Sequence, residues 1–233
     1  MRKIKKLSVI VTAHNKDKYI DKCLRSLINQ SLDKEQYELI IVNDGSEDNT
    51  KFIINLFINP EEDFIRFIDN KKNIGLPASL NKAIKFSRGM RIVRVDADDY
   101  VSKDFLYMLL YFSEKNNYMR AIACDYLVFD DKDKSNNMNR VNCFEYPIGC
   151  GIIFLKKDLI KIGMYDPSFL INEEADLRIR FEKKNKIYHL ELPLYRYRKH
   201  HNNMTKNKKE LEIYNKKLLL KHPNCNISKK YFN

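Results

Sequence analysis

The sequence lacks tryptophan and has few glycines and prolines, with six residues of each among 233. So little glycine and proline excludes a long flexible linker or low-complexity tract. No run of about 18 apolar residues occurs, so the sequence predicts no membrane-spanning helix. A basic start at 1–6 precedes an apolar run at 7–12 that is too short for the core of a secretory signal peptide. We therefore expect a cytoplasmic protein.

Paired cysteine motifs are also missing. The five cysteines are Cys23, Cys124, Cys143, Cys150 and Cys225. Their odd number and the absence of any C-x-x-C spacing argue against a disulfide scaffold and against a zinc site. We interpret them as reduced thiols that mostly fill small apolar spaces.

Acidic residues are the minority among the charged ones. Lysine plus arginine number 43 and aspartate plus glutamate 31, which gives a formal charge of +12. Nucleic acid, an anionic membrane face or a phosphorylated substrate would suit this charge, and so would a solvated basic surface with no charged partner. With 44% hydrophobic and 32% charged residues, the chain has the composition of a globular protein, and its length suits one large α/β domain.

The first hundred residues alternate between strand-like and helical patterns. Continuous apolar runs without alternation predict strands buried on both faces, and apolar residues at helical spacing lie between them. The predicted strands are 7–12, 37–43, 64–69 and 90–95, and the predicted helices are 17–30, 47–58 and 76–87. This alternation is typical of a doubly wound parallel sheet.

After residue 100 the rhythm changes to a mixture. The predicted helices are 103–115, 173–184 and 208–221, and the predicted strands are 119–129, 140–146, 149–155, 187–192 and 195–198. The chain therefore divides into a nucleotide-binding-like first half and a mixed second half, without a clean boundary.

Polar residues follow each of the first four predicted strands. They lie at 13–15, 43–46, 69–75 and 96–99. Ligands of open α/β sheets bind beyond the carboxyl ends of the strands. Asparagine, aspartate and glycine also form turns and helix caps, but four consecutive strand ends favour a binding site.

The segment Asp96-Ala97-Asp98-Asp99 contains the most specific of these signals. Carboxylates two residues apart after a buried strand repel each other unless a cation or a donor lies between them. Oxygen ligands on a short loop suit Mg²⁺ or Mn²⁺, which bind one or two carboxylates together with substrate phosphate oxygens. The alternative is a solvated loop in which Asp98 or Asp99 caps the next helix.

Six segments in this order resemble family 2 of the nucleotide-sugar glycosyltransferases. They are SVIVTAHN at 8–15, IIVNDGSEDNT at 40–50, NIGLPASLN at 73–81, VDADD at 95–99, EEADLRIR at 173–180 and YRKHHNNMT at 197–205. The resemblance covers about residues 5–205. It implies an α/β GT-A fold, a mixed sheet flanked by helices.

The same resemblance implies a domain plan. Residues 1–205 would form a single GT-A domain, with a nucleotide-binding half at 1–100 and an acceptor half at 101–205. Residues 206–233 would form a basic C-terminal helix and tail. That helix would lie on an anionic membrane surface or pack its apolar side on the domain, and the sequence leaves both open.

The resemblance also implies which residues bind the donor. They are Thr12, His14, Asn15, Asn43, Asp44, Asn73, Gly75, Asn81, Asp96 and Arg198. The family usually has two aspartates at 43–44, where a carboxylate accepts a hydrogen bond from uracil. Asn43 still offers a carbonyl oxygen, but the base is less firmly specified.

The divalent metal, Mn²⁺ or Mg²⁺, would be bound by Asp98 and would bridge the donor diphosphate. His200 aligns with a histidine that closes over the metal or diphosphate in relatives, and its neighbour His201 leaves the alignment open by one residue.

The catalytic base implied by the resemblance lies at the start of a helix, in a pattern like E-D-x-D-L. Here the matching residues are Glu173-Glu174-Ala175-Asp176-Leu177. Glu174 aligns with the usual aspartate and is the expected base. Glu173 and Asp176 remain alternatives, and acidic residues in a first helical turn also complement the helix dipole.

We therefore expect a metal-dependent inverting transferase that moves a sugar from a nucleoside-diphosphate sugar to an acceptor hydroxyl. The expected donor is a UDP-sugar. The expected acceptor is a glycan or a lipid-linked molecule in surface glycan or polysaccharide synthesis. A nucleotidyltransferase is an alternative, but residues 12–18 lack the glycine-rich phosphate loop that it would need. A UDP-binding relative without catalytic activity is another. The acidic cluster at 96–99 argues against a nucleic-acid-binding protein.

Overall fold

The computed structural model describes residues 4–116, 118–130, 137–200 and 208–223. Nine strands and seven helices lie within these ranges. Four strands form the first half of one sheet: β1 (Lys5–Ala13), β2 (Tyr37–Asp44), β3 (Ile65–Asn70) and β4 (Gly89–Asp96). The helices between them are α1 (Ile20–Ile28), α2 (Thr50–Asn55) and α3 (Leu76–Phe86).

The first four strands pair in parallel in the order β3-β2-β1-β4. Every residue of β2 is buried, as the unbroken apolar run predicted. The predicted elements of this half are confirmed, and the largest shifts at their ends are three residues, in α1 and α2.

The second half of the sheet is mixed. It contains β5 (Tyr100–Val101), β6 (Ala121–Asp130), β7 (Asn139–Val141), β8 (Ile152–Leu155) and β9 (Ile187–Lys199). The helices are α4 (Phe105–Lys115), α5 (Lys156–Lys161), α6 (Glu173–Glu182) and α7 (Lys208–Lys221). The sheet continues from β4 in the order β8-β6-β9-β5, and β7 pairs with β6. Because β8 runs antiparallel to β4, the sheet is mixed, as expected.

Three details differ from the sequence prediction. The strands predicted at 187–192 and 195–198 are one strand, β9, whose register against β6 shifts around Pro193 because a proline cannot donate to the ladder. The strand predicted at 140–146 ends at Val141, where the chain turns. The short elements β5 and α5 were not predicted because too few residues carry a periodic pattern.

The C-terminal helix α7 packs on the domain. Leu218 is fully buried in a small apolar cluster with Phe169, Ala175 and Ile179. Asn172 Nδ2 donates to Asn215 Oδ1 at 2.6 Å. Of the two alternatives for this helix, packing on the domain is therefore observed, while Ile213 and Leu220 remain exposed. Within the described ranges, no helix combines the length and apolarity needed to cross a membrane.

Candidate active site

The parallel strands bring the predicted strand-end residues to one edge of the sheet. Thr12 on β1 is opposite Asp96 on β4, and Ala13 is opposite Asn43 on β2. The strand ends therefore converge because of the register itself, before any loop is considered.

The carboxylate of Asp44 organises the loop that follows β3. Its Oδ1 accepts hydrogen bonds from Asn70 Nδ2 at 2.9 Å and Ile74 N at 3.0 Å, and its Oδ2 accepts from Gly75 N at 3.0 Å. Gly75 has a φ of 88°, which favours glycine. Asn73 Oδ1 also accepts from Gly75 N, at 2.8 Å. Asp44 therefore fixes the 73–75 segment beside the site through backbone donors.

Asn43 has both ends of its amide engaged within the protein. Its Nδ2 donates to Asp69 Oδ1 at 2.7 Å, and its Oδ1 accepts from Ser46 N at 3.2 Å. Asp69 in turn pairs with Lys51 at 2.6 Å. The Asp69 contact fixes which way the amide points and leaves Oδ1 as its accepting end.

The loop after β1 is held against the loop after β2. His14 Nδ1 lies 2.9 Å from the carbonyl oxygen of Asp44, which can only accept, so Nδ1 donates this hydrogen bond. Asn15 has a φ of 53°, and its Oδ1 accepts from Glu47 N at 2.9 Å. Asn81 lies farther along, with its amide bonded twice to the backbone of Tyr165. It positions that segment through the backbone.

Of the three aspartates at 96–99, Asp96 accepts hydrogen bonds from two buried side chains. Arg94 Nε donates to its Oδ1 at 2.7 Å, and the Cys150 thiol donates to its Oδ2 at 2.9 Å. Arg94 also donates to Glu173 Oε1 at 2.8 Å. This buried guanidinium therefore links the end of β4 to the start of α6.

The side chain of Asp99 is buried and accepts hydrogen bonds from β9. Its Oδ2 accepts from the Tyr195 hydroxyl at 2.7 Å, its Oδ1 accepts from Arg198 N at 2.7 Å, and the residue is only 2% exposed. Burial and the neighbouring charges of Asp98 and Asp96 raise the pKa of Asp99 well above its ordinary value. Asp99 therefore fastens the loop to β9.

Asp98 is the aspartate that faces cationic partners at the open edge. Its Oδ2 lies 2.6 Å from Lys16 Nζ and 2.8 Å from His200 Nε2. Burial alone would raise the pKa of Asp98, but Lys16 and His200 outweigh it and hold the pKa below its ordinary value. Arg198 Nε donates to the Asp98 backbone carbonyl at 2.7 Å.

Asp98 and His200 suit a divalent cation. An ionised carboxylate oxygen and an imidazole nitrogen 2.8 Å apart are a donor set that Mn²⁺ accepts. The imidazole is oriented by stacking on Tyr19, with ring centroids 5.0 Å apart. Lys16 pairs with the same oxygen, so a cation held there would compete with its ammonium group.

A second group of candidate ligands, Asp96, Asp99 and Cys150, lies close together. It suits a cation less well, because Arg94 and Tyr195 already occupy its carboxylates. Burial also raises the pKa of the Cys150 thiol well above its ordinary value, which keeps it protonated.

Glu174 lies in the first turn of α6 and is half-buried. Burial, followed by repulsion from Glu173, raises the pKa of Glu174 to about 8. A carboxyl group with such a pKa takes up a proton readily near neutral pH. A Cβ on Gly149 would lie 3.2 Å from the Glu174 Cβ and 2.8 Å from Arg94 Nη1, so the segment around Gly149 passes close over this turn.

The two alternative bases have other partners. Glu173 is bound to Arg94. Asp176 is fully buried and is bound by Arg180, Lys221 and His222 at 2.7–2.8 Å. Burial alone would raise the pKa of Asp176, but Arg180, Lys221 and His222 outweigh it and hold the pKa below its ordinary value. Asp176 therefore holds α6 and α7 together.

The sequence prediction missed several residues of this site: Lys16, Arg94, Cys150 and Tyr195. An arginine within the apolar run of β4 was the one available signal, because a buried guanidinium needs an acidic partner. Lys16 and Tyr195 gave no local signal, since their partners are 82 and 96 residues away along the chain. His201, the alternative to His200, lies outside the described residues.

Comparison with known families and proteins gives a consistent match. The model of the family described as "Glycosyl transferase family 2" matches residues 8–180. A poly(ribitol-phosphate) beta-glucosyltransferase from Bacillus spizizenii is 38% identical over 112 residues, which are 48% of this chain and 18% of that protein. The chain spans 18–35% of the length of the first curated relatives it matches.

Solved structures share the fold. TarS 1–349 of S. aureus in complex with UDP-GlcNAc aligns with a TM-score of 0.78 at 20% identity, over 96% of this chain and 68% of that one. A mannosyltransferase from Pyrobaculum calidifontis in complex with GDP-Man and Mn²⁺ aligns with a TM-score of 0.70 at 16% identity, over 95% and 64%. At these identities the likeness establishes the GT-A fold.

Proposed function

The chain belongs to glycosyl transferase family 2, and we propose that it transfers a sugar, with inversion and with the help of a divalent metal, from a nucleoside-diphosphate sugar to an acceptor hydroxyl. The preferred donor in this proposal is a UDP-sugar. The observation that carries it is the environment of Asp98, an ionised carboxylate beside His200 at the carboxyl edge of the parallel strands.

Donor binding would use the residues around this carboxylate. Asp98 and His200 would hold Mn²⁺ or Mg²⁺, which supplies charge neutralisation for a diphosphate leaving group when bound. Lys16 and Arg198 add positive charge at the same place. Asn43 would present its Oδ1 to a base that carries an N–H donor, as uracil does.

Transfer would use Glu174. The acceptor oxygen forms a bond to the anomeric carbon while the bond from that carbon to the diphosphate breaks. The acceptor proton passes to the Glu174 carboxylate, and the nucleoside diphosphate leaves with the electron pair. Attack from the face opposite the leaving group inverts the anomeric centre. The raised pKa of Glu174 suits proton uptake, and the engaged carboxylates of Glu173 and Asp176 do not.

The acceptor in this proposal is a glycan or a lipid-linked glycan of surface polysaccharide synthesis. It is supported by the Bacillus spizizenii relative, which is by its description a poly(ribitol-phosphate) glucosyltransferase. Contact with a membrane surface through α7 is part of the proposal. The exposed side chains of Ile213 and Leu220, seven residues apart, lie on one side of that helix among lysines.

Calorimetric titration with UDP, GDP, CDP and ADP, each with Mn²⁺ and with EDTA, tests the donor site. Selective binding of UDP that requires the metal is the expected result. Absence of binding to all four nucleotides would reject the donor-site assignment. Release of UDP from a UDP-sugar then separates a transferase from a relative that binds UDP without turnover, and release of pyrophosphate from UTP and a sugar phosphate would identify a nucleotidyltransferase.

A further inference from the structure

Arg178 on α6 is a buried cation without a visible partner. The residue is 3% exposed, and within the described structure its Nε and Nη1 atoms are buried and make no hydrogen bond. The other two arginines that are more than nine-tenths buried there do have acceptors: Arg94 binds Asp96 and Glu173, and Arg198 binds the Asp98 carbonyl. Burying an unpaired charge is costly, so Arg178 needs an explanation.

Arg178 lies near the proposed acceptor side of the site. Arg178 follows Glu174 by four residues on the same helix, so the two side chains share one face of α6. The segment around Gly149 passes close to Glu174. The guanidinium is therefore about one helical turn from the carboxylate to which the acceptor hydroxyl would give its proton.

Among the described residues, no carboxylate forms an ion pair with Arg178. This includes Glu174, one helical turn before it, whose pKa burial and Glu173 raise to about 8. Arg178 lies near the thiol of Cys143. Burial raises the pKa of this thiol to about 12, and the positive charge of Arg178 offsets part of that rise. Asp125 also neighbours that thiol, but its carboxylate is already occupied by Arg140 and His189, each at 2.6 Å. An external anion would give this guanidinium a partner.

We propose that Arg178 binds an anionic group of the acceptor, a phosphate or a carboxylate close to the hydroxyl that receives the sugar. The inference rests on the proposed function and deepens it, because it assigns the acceptor to the class of negatively charged glycans or polyol phosphates. A guanidinium binds either oxyanion through two parallel N–H donors. The +12 charge of the chain favours encounter with such a polymer.

Binding requires a small local movement. Only 3% of the Arg178 surface is exposed, whereas Glu145 and Tyr146, in the segment that passes toward Gly149, are exposed. Cys143, two residues before Glu145, lies near Arg178, so a shift of this segment would open the guanidinium to the anion.

The test compares charged and neutral probes of the same shape. Glycerol 1-phosphate is compared with glycerol, and methyl glucuronide with methyl glucoside, by calorimetry on the full chain in the presence of UDP and Mg²⁺. We expect at least about tenfold tighter binding of one charged probe than of its neutral partner. The phosphate and carboxylate arms separate the two sources of the anion.

Arg178→Met removes the charge and keeps much of the volume. We expect it to abolish the preference for the charged probe and to raise the Tm, because an unpaired buried charge is lost. Arg178→Lys keeps part of the preference. The matched control is Arg120→Met, which breaks the ion pair with Asp158 and should lower the Tm while the preference remains.

Three results would each overturn the proposal. The unaltered chain could bind charged and neutral probes equally, or Arg178→Met could keep the preference for the charged probe. The third is a lower Tm in Arg178→Met, which would reveal a stabilising partner within the protein. The proposed function fails separately, when no nucleotide binds. The probe titrations without UDP still compare the unaltered chain with Arg178→Met in that case.

Discussion

His200 Nε2 lies 2.8 Å from Asp98 Oδ2, although 102 residues separate them in the chain. The contact exists because β5, which begins two residues after Asp98, pairs antiparallel with β9, which ends just before His200. Tyr100 is opposite Arg196 in this pairing. Because this strand pairing brings Asp98 and His200 together, the proposed metal site depends on the pairing of β9 with β5.

The carboxylate of Asp98 should be required for metal-dependent donor binding. In Asp98→Asn the amide is a weaker ligand and no longer offsets the cation, so we expect UDP affinity with Mn²⁺ to fall by roughly two orders of magnitude or more. Affinity measured in EDTA should change little. Asp33→Asn, in an exposed turn, is the control. Full Mn²⁺-dependent binding by Asp98→Asn would assign the metal elsewhere.

Replacing Glu174 by glutamine should separate binding from transfer. The amide cannot accept the acceptor proton, so we expect kcat to fall about 10²- to 10⁴-fold while UDP affinity is retained. Initial rates of UDP release and calorimetry give the two quantities. Glu173→Gln is the comparison: it breaks the ion pair with Arg94 and should lower the Tm more than Glu174→Gln does. Full turnover by Glu174→Gln would exclude it as the base.

Transfer should increase with pH below about 8. Burial and Glu173 raise the pKa of Glu174 to about 8, and the base acts in its ionised form. The rate should therefore rise about tenfold per pH unit from pH 6 until it levels near that pKa. A rate that is flat from pH 6 to 9 would contradict the assignment.

The same pKa predicts a stability effect of the opposite direction. Between pH 4.5 and about 8 the folded state keeps a proton that the unfolded state has released, so the stability contributed by Glu174 decreases as the pH rises. Glu174→Gln removes this loss. Its Tm relative to the unaltered chain should therefore increase from pH 5 to pH 8.5, as thermal unfolding at both pH values would show.

Replacing Asp176 should lower the stability of the protein and change the rate of transfer little. Asp176→Asn leaves Arg180, Lys221 and His222 without their buried anion, so we expect a loss of about 3–5 kcal/mol in the free energy of unfolding. Asp166→Asn is a matched control, because Asp166 also binds Lys221 but is partly exposed, and it should cost about 1 kcal/mol or less. Urea unfolding measures both. A loss in Asp176→Asn no larger than in the control would refute the structural role.

The exposed apolar side chains of α7 should bring the chain to anionic vesicles. The double variant Ile213→Ser and Leu220→Ser should reduce sedimentation with vesicles that contain phosphatidylglycerol, without lowering the Tm, because both side chains are exposed and Leu218 holds the helix. Phosphatidylcholine vesicles are the control. Equal sedimentation of both forms would show that α7 is not a membrane contact.

Local patterns in the sequence were sufficient for most of the fold. The apolar runs of β1, β2 and β4 and the helical spacing in α1 and α3 are each set by burial within a few residues, so they can be recognised from the chain alone. The direction of β8 and the shifted register of β9 could not, because both depend on pairing with distant strands.

The sequence by itself determined the family, the parallel half of the sheet and the edge at which the polar strand ends collect. The family resemblance implied different roles for Asp96 and Asp98, but only the tertiary structure showed which groups engage each aspartate at 96–99, since Tyr195 bonds Asp99 and His200 faces Asp98 from about a hundred residues away. It likewise showed that Asp176 is bound by the C-terminal segment and that Arg178 is buried without a partner in the described structure. The physical reason is that side-chain periodicity is a local property, whereas the partner of a charge is set by which distant segments the fold brings within hydrogen-bonding distance.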